Sequence, residues 1–164
     1  VITWTGGQRN VAMACGVGKT PEERYEKARD FVKLVGLEDY ADLTPAELST
    51  GMKQRLGLAR VLAGQAELLL MDEPFASLDF LTREELQAQL LTVQRAMPRT
   101  IVLVTHQLDE ALLLGQKILV MHPDSTLREF DLTSYDYPRD LSAPPMQALK
   151  REITDQCRRS SANA

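Results

Sequence analysis

The fold turns on Leu68-Leu69-Leu70-Met71-Asp72-Glu73-Pro74-Phe75-Ala76-Ser77-Leu78-Asp79. Four apolar residues run into two adjacent carboxylates, and Pro74 then removes the N–H that a continuing ladder would need. A short unbroken apolar run of this kind predicts a strand buried on both faces, as in a parallel sheet. The C-terminal end of such a strand is where open α/β sheets place their ligands. Asp72 and Glu73 fall at that end, within reach of water. A buried strand closing in a solvated acidic turn would look the same if this stretch stood alone.

It does not stand alone. Upstream is Leu48-Ser49-Thr50-Gly51-Met52-Lys53-Gln54-Arg55, and downstream Thr105-His106 ends a second apolar run, Thr100-Ile101-Val102-Leu103-Val104. In this order and spacing the residues resemble the ABC-type ATPase family over nearly the whole chain. Leu48 to Met52 is similar to that family's signature loop, and Leu68 to Asp72 to its Walker B strand. Glu73 is similar to its catalytic glutamate, Ser77-Leu78-Asp79 to its D-loop, and His106 to its switch histidine. The resemblance implies an α/β fold: the C-terminal part of a P-loop NTPase domain of the ABC type, with a parallel sheet, flanking helices and a small helical subdomain. The expected organisation is one partial domain. Residues 1–64 form the helical part with the signature, 65–144 the α/β part, and 145–164 a C-terminal helix and tail.

The 164 residues, 44% apolar and 26% charged, suit one soluble domain with a genuine core. A net charge of -4 argues against a nucleic-acid partner, whose footprint is usually a basic patch. No apolar run reaches the roughly 18 residues that a membrane-spanning helix needs. Cys15 and Cys157, distant and without metal spacing, predict free thiols in a reducing compartment. The N-terminus has neither the composition of a signal peptide nor a methionine, so the chain is expected to begin within a longer protein.

Residues 1–19 read as irregular. Gly16-Val17-Gly18-Lys19-Thr20 ends like a phosphate-binding loop, but the glycine required five residues before Gly18 is Met13. Thr20-Pro21-Glu22-Glu23 instead opens a helix, with an N-cap, an N1 proline and a capping-box glutamate. Lys19 is then a solvated loop lysine. That helix carries Tyr25, Ala28, Phe31, Val32 and Val35 on one face and closes at Gly36. Thr44 to Glu47 repeats the capping pattern. A helix from Met52 to Ala63 follows, with Leu56, Ala59, Leu62 and Ala63 inward. Another runs from about Thr82 to Met97, with Leu86, Leu90, Val93 and Met97 in register. Leu108 to Leu114 is a short helix, and Lys117 to Met121 a third strand, completing a parallel βαβ grammar. Residues 122–144, rich in proline, read as an irregular edge. A last helix places Met146, Leu149, Ile153 and Cys157 on one side, and Arg158 to Ala164 reads as a disordered tail.

The resemblance assigns chemistry to these positions. Asp72 would hold Mg²⁺ through coordinated water, as suits a hard carboxylate. Glu73 would orient the attacking water as general base, and His106 would reach the γ-phosphate of ATP. Ser49, Thr50, Gly51 and Met52 open a helix whose free N–H groups and dipole attract anions. In the family this loop caps ATP held by the opposite subunit, so active sites form in a dimer. Asp79 would lie at that dimer interface, although its spacing also fits an N-cap. Ser49 likewise fits a plain N-cap, and His106 a buried histidine.

Thr50 departs from the family's glycine, and a β-branched residue resists φ > 0. The sequence also holds no P-loop and no adenine-stacking aromatic, and Gln8 is misplaced for a Q-loop glutamine. The chain by itself is therefore expected not to hydrolyse ATP. The expected partners are a second copy, forming a homodimer, an integral membrane permease and, indirectly, an extracytoplasmic solute-binding protein. The expected location is the cytoplasmic face of the plasma membrane. Trp4, the signature variant, Asp72-Glu73-Pro74-Phe75 and Tyr137-Pro138-Arg139-Asp140 resemble the nitrate, sulfonate and taurine importers. The other readings are a soluble non-transport ABC ATPase and a degenerate, non-catalytic binding module.

Overall fold

Glycine at positions 6 and 7 allows an unexpected helix. A Cβ on Gly6 would meet the Asp42 carbonyl oxygen at 2.9 Å, and one on Gly7 the Ala41 oxygen at 3.2 Å. The close approach lets Gly7 N–H donate to Leu43 O (3.0 Å) and Gln8 N–H to Ala41 O (2.8 Å). Helix α1, Gly7–Ala14, thus has its first donors satisfied by a distant loop and carries no side-chain cap. This corrects the irregular reading of residues 1–19: the cap is supplied from a part of the chain that local pattern does not reveal. Asn10, fully buried, fastens the preceding residues by accepting from Ile2 N–H (2.7 Å) and donating to the carbonyls of Ile2 (2.9 Å) and Thr5 (2.8 Å).

The computed structural model describes the backbone of residues 1–122 and 125–162, with side chains up to Arg158. Helix α2, Pro21–Leu34, starts as expected: the Thr20 hydroxyl accepts from Glu23 N–H at 3.2 Å. The Glu23 carboxylate, however, takes Lys19 N–H (2.7 Å) rather than that of Thr20. Lys19 is exposed, and its amide is committed to a carboxylate rather than left open for a phosphate. Gly36 ends this region at φ 64°. Short 3₁₀ turns at Glu38–Tyr40 and Pro45–Glu47 lead on, the second boxed by Thr44 N–H donating to the Glu47 carboxylate (2.8 Å). Helix α3, Thr50–Ala63, buries Leu56, Ala59, Leu62 and Ala63 as expected, with Leu58 besides, and packs on α1 and α2.

Strand β1, Leu68–Asp72, is followed by α4, Phe80–Ala96, and by β2, Thr100–Val104, which pairs with β1 in a parallel sheet. The crossover through a 17-residue helix is the usual means of joining parallel neighbours. Leu69 and Met71 are 4% and 5% exposed, while Leu68 and Leu70 are 51% and 69% exposed. The expectation of burial on both faces is therefore corrected. The run has the composition for two covered faces, but the described residues cover one. In α4, Leu86 and Leu90 are buried and Met97 is exposed, so the stripe ends a turn earlier than its spacing suggests.

The chain divides into two compact units, Val1–Val102 and Leu103–Ala164. In the second, α5 (Leu108–Leu114), β3 (Lys117–Met121), β4 (Leu127–Asp131) and α6 (Pro144–Ala162) surround a core of Leu112, Ile118, Phe130, Leu132 and Ile153. Strand β3 pairs antiparallel with β4, Leu119 opposite Glu129, in a sheet of its own. Two expectations are corrected here: β3 is not a third parallel strand, and residues 127–131 are not irregular. Only Phe130 of β4 is buried, too weak an alternation to announce a strand amid prolines. Lys117 and Glu129 bridge the pair at 2.6 Å. In α6, Met146 and Ile153 are buried, but Cys157 is exposed, outside the expected stripe. The helix continues through Ala162, over most of the expected tail, and residues 163–164 lie outside the described ones. Among the described residues no helix is long and apolar enough to cross a membrane.

Candidate functional site

In the first unit the candidate residues gather where α3 begins and β1 ends. Ser49 is the N-cap of α3, its hydroxyl accepting from Met52 N–H at 3.2 Å. Thr50 is the first helical residue, and it is not among the non-glycine residues at positive φ. The backbone objection to threonine here therefore falls away, because the position is right-handed helical. Gly51 abuts the segment after β1: a Cβ there would stand 3.3 Å from Ser77 O and 3.6 Å from Leu78 Cδ2. A glycine brings the start of α3 close to the 77–78 backbone.

Asp72 is exposed at the end of β1, and Glu73, partly buried, takes φ 46°. For a non-glycine residue this left-handed backbone costs on the order of 1–3 kcal/mol, so the surroundings must impose it. Three features do so. Phe75 (fully buried) and Leu78 anchor the turn in the core. Ala76 N–H donates back to Glu73 O at 3.2 Å, and Leu78 N–H to Phe75 O at 3.2 Å. Gln54, from α3, donates its amide to Glu73 O (2.7 Å) and accepts Ser77 N–H on its carbonyl (3.0 Å). Asp79 is the N-cap of α4, accepting from Thr82 N–H at 3.1 Å, and the hydrogen bonds from the Thr82 side chain and then its N–H hold its carboxyl below the ordinary aspartate range.

In the second unit, His106 follows β2 and is exposed, which sets aside its reading as a buried core histidine. The residues around it are tightly held. The Thr105 hydroxyl donates to the Glu110 carboxylate at 2.8 Å and accepts Gln107 N–H at 3.0 Å. Glu110 is 4% exposed. Sequence reasoning quoted Gln54 and Glu110 within motifs but gave neither a function. Glu110 had a local signal, a glutamate in the first turn of a helix five residues after a threonine. Gln54 had none, since its partners lie 19 and 23 positions away.

Magnesium usually keeps several waters and takes one or two carboxylates together with substrate phosphates. Asp72, an exposed hard donor beside a second carboxylate, fits such a site. No group of three or more His, Cys, Asp or Glu side chains suited to a fully protein-built metal site occurs among the described residues. The start of α3 offers first-turn N–H groups, which lack intrahelical acceptors and suit an anionic ligand.

Comparison with known proteins agrees with this arrangement. Residues 4–76 match the family model described as ABC transporter. The taurine import ATP-binding protein TauB of Pseudomonas aeruginosa is 39% identical over 165 aligned positions, 99% of this chain and 54% of the relative. The TauB of Rhizobium johnstonii is 41% identical over 135 residues, 80% of this chain and 52% of its own. The glycine betaine/proline betaine transport protein ProV of Escherichia coli is 52% identical over 104 residues, 63% of this chain and 26% of its own. The chain thus spans about half the length of the taurine-import relatives, and less of the betaine one. Among solved structures, the dimeric ATP-binding cassette MJ0796, in a post-hydrolysis state bound to ADP and Pi, superposes with a TM-score of 0.71 at 30% identity. That match covers 80% of this chain and 59% of the cassette. With a strand closing in Asp72-Glu73 and a serine-capped helix set against the following turn, the chain is similar to the ATP-binding subunits of ABC transporters and aligns with part of their ATPase domain.

Proposed function

We propose that this chain is part of the ATP-binding subunit that powers an ABC importer. ATP is the substrate, and hydrolysis transfers the γ-phosphoryl group to water. The new bond forms between the water oxygen and γ-phosphorus, the bond to the β–γ bridging oxygen breaks, and ADP leaves. Glu73 accepts the proton from the attacking water as general base. The observation that carries this assignment is the turn itself: Glu73 is held at φ 46° by hydrogen bonds from Ala76 and Gln54 to its carbonyl. A strained backbone persists where the surroundings over-determine it, and such residues cluster at active sites. Asp72 would hold Mg²⁺ through water; the ion supplies neutralisation of charge developing on the phosphates.

His106 contacts the γ-phosphate, on a loop kept in place by Thr105 and Glu110. Ser49, Gly51 and Met52 present the start of α3 to ATP bound by a second subunit, with Thr50 tolerated there, and Asp79 faces that subunit while capping α4. The dimeric structural neighbours support this pairing. An integral membrane permease is the second partner. We place its docking on the helical face of the first unit, where Arg9, Met13, Arg24 and Tyr25 line an open cleft of about 480 Å³ between α1 and α2. A solute-binding protein delivers to the permease, and the subunit works at the cytoplasmic face of the membrane. The solute is a small molecule with an anionic oxygen group. Taurine or another sulfonate is the first choice, supported by taurine-import relatives that align over nearly the whole chain.

The test is ATP turnover by the assembled transporter with Glu73→Gln. Loss of a general base is worth about 10²–10⁴-fold in rate. The expected result is a fall in turnover within that range with ATP binding retained. Undiminished turnover would remove Glu73 from the reaction.

A further inference from the structure

Gln54 stands one and a half turns into α3, half-buried, with both ends of its amide committed to the turn that follows β1. Its NH₂ group donates to the carbonyl of Glu73 at 2.7 Å, and its carbonyl accepts the N–H of Ser77 at 3.0 Å. The two contacts clasp the beginning and the end of the segment Glu73–Ser77. On the same helix, Gly51 lies against Ser77 O, close enough that a Cβ would stand at 3.3 Å. The helix opened by Ser49 is therefore bonded through Gln54 to the backbone of both Glu73 and Ser77, and the absence of a side chain at Gly51 lets its first turn lie close to Ser77. We infer that Gln54 is a positioning residue for ATP hydrolysis, fixing the Glu73 backbone in its left-handed conformation and making the start of α3 and the Glu73–Ser77 turn move as one piece.

The chemistry of the amide supports this role over simple filling of space. Glutamine is uncharged yet presents a donor and an acceptor on one planar group, and here each meets the complementary backbone group. A glutamate would keep the acceptor for Ser77 and set a carboxylate oxygen against the Glu73 carbonyl. A lysine would keep a donor for Glu73 and lose the acceptor. A leucine of similar size would lose both. The two bonds can thus be broken one at a time.

This inference rests on the assignment of Glu73 as general base, and the experiment separates the two. Gln54→Glu, Gln54→Lys and Gln54→Leu are compared with Glu73→Gln in the assembled transporter. Turnover and KM for ATP are measured, together with amide exchange at Ser77 in the isolated chain. Small misplacements of a catalytic group cost up to about a hundredfold. Gln54→Leu and Gln54→Glu are therefore expected to lower kcat by about ten- to a hundredfold, with KM for ATP within about twofold of the parent. Ser77 exchange should accelerate in the lysine and leucine variants and stay slow in the glutamate variant. If Glu73→Gln is inactive while Gln54→Glu and Gln54→Leu turn over like the parent, Gln54 has no positioning role and the assignment of Glu73 stands. Losses of kcat matched by equal losses of folded protein would likewise overturn the proposal. If Glu73→Gln turns over normally, the assignment of Glu73 fails, and the exchange at Ser77 still reports whether the clasp exists.

Discussion

The turn after β1 is clasped by Gln54, which lies 19 residues before Glu73 and 23 before Ser77. The turn after β2 is held by its own residues, with Thr105 bonded to Glu110 five positions on and to Gln107 two positions on. Both turns follow a strand and present a residue to which the resemblance assigns chemistry; the first adds a clasp from a distant helix to its local bonds, while the bonds described at the second are local. A locally held turn keeps its shape wherever the segment goes. A turn clasped also from another helix loses that part of its support when the helix moves, so it can register a displacement of the helix. The Glu73 turn is tied to α3, whose first residues are the proposed contact with the second subunit's nucleotide.

The largest effect on this comparison should come from Arg139, because it extends the distant kind of clamp into the second unit. Arg139 is 7% exposed and donates to the carbonyls of Leu112 (2.8 Å) and Leu132 (3.0 Å) as well as that of Gly115, and it lies 4.2 Å from the centre of the Tyr137 ring. Hydrogen bonds to a charged group contribute about 1.5–3 kcal/mol each, and a buried acceptor left without its donor costs more. Arg139→Met should therefore destabilise the chain by roughly 3 kcal/mol or more. Denaturant unfolding followed in Leu103–Ala164 should show it, and an unchanged midpoint would contradict the clamp.

Thr105→Val tests the local clamp. It removes the acceptor for Gln107 N–H and one partner of the buried Glu110 carboxylate, an expected loss of about 2 kcal/mol. Thr105→Ser, which keeps the hydroxyl, should recover most of it. The exchange rates of the Gln107 and Ser77 amides sharpen the contrast: Thr105→Val should speed the first and leave the second unchanged, while Gln54→Leu should do the reverse.

The same division between local and distant contacts explains what was legible in the sequence. Helices α2, α3 and α4 carry their caps within a few residues, at Thr20, Ser49 and Asp79, and their spacing places them correctly. Helix α1 was missed because its first N–H groups bond to the 41–43 carbonyls. Strand β4 was missed because it buries Phe130 alone, and its pairing makes β3 antiparallel. Asp72, Glu73 and His106 stand out because they end apolar runs. Gln54 does not, since nothing near it in sequence indicates its partners. Arginines repeat the lesson. Arg55 meets the carbonyls of Val35 and Gly36 at 3.3 Å, and Arg99 those of Leu62 (3.2 Å) and Gly64 (2.6 Å). With Arg139, three helix ends receive a guanidinium from elsewhere in the chain, where the dipole favours a cation. A surface arginine and one of these have the same appearance in sequence.

Two smaller effects separate capping from chemistry. Ser49→Ala removes the acceptor for Met52 N–H and should destabilise by about 1 kcal/mol, with Ser49→Asn nearly neutral. If the hydroxyl or the first turn of α3 also contacts nucleotide, Ser49→Asn should lower turnover in the assembled transporter despite parental stability. Equal turnover would leave Ser49 a cap alone.

The smallest effect expected is at Asp79, and it is read by pH. The hydrogen bonds from the Thr82 side chain and N–H lower the carboxyl's affinity for a proton in the folded chain below that in the unfolded chain. The folded state thus binds fewer protons at this group, and its stabilisation is full above the ordinary aspartate value of 3.8. As pH falls through that value toward the lower folded one, the stabilisation is lost, and α4 loses its cap. Asp79→Asn accepts the same bond without titrating, so its unfolding midpoint should fall less steeply than the parent's below about pH 4. Asp79 is exposed, which keeps the difference small and sensitive to salt. The same variant bears on the dimer. If the carboxylate's charge also meets the second subunit, Asp79→Asn should weaken ATP-dependent dimerisation at neutral pH, where the cap is intact in both proteins. Unaltered dimerisation would confine Asp79 to the start of α4.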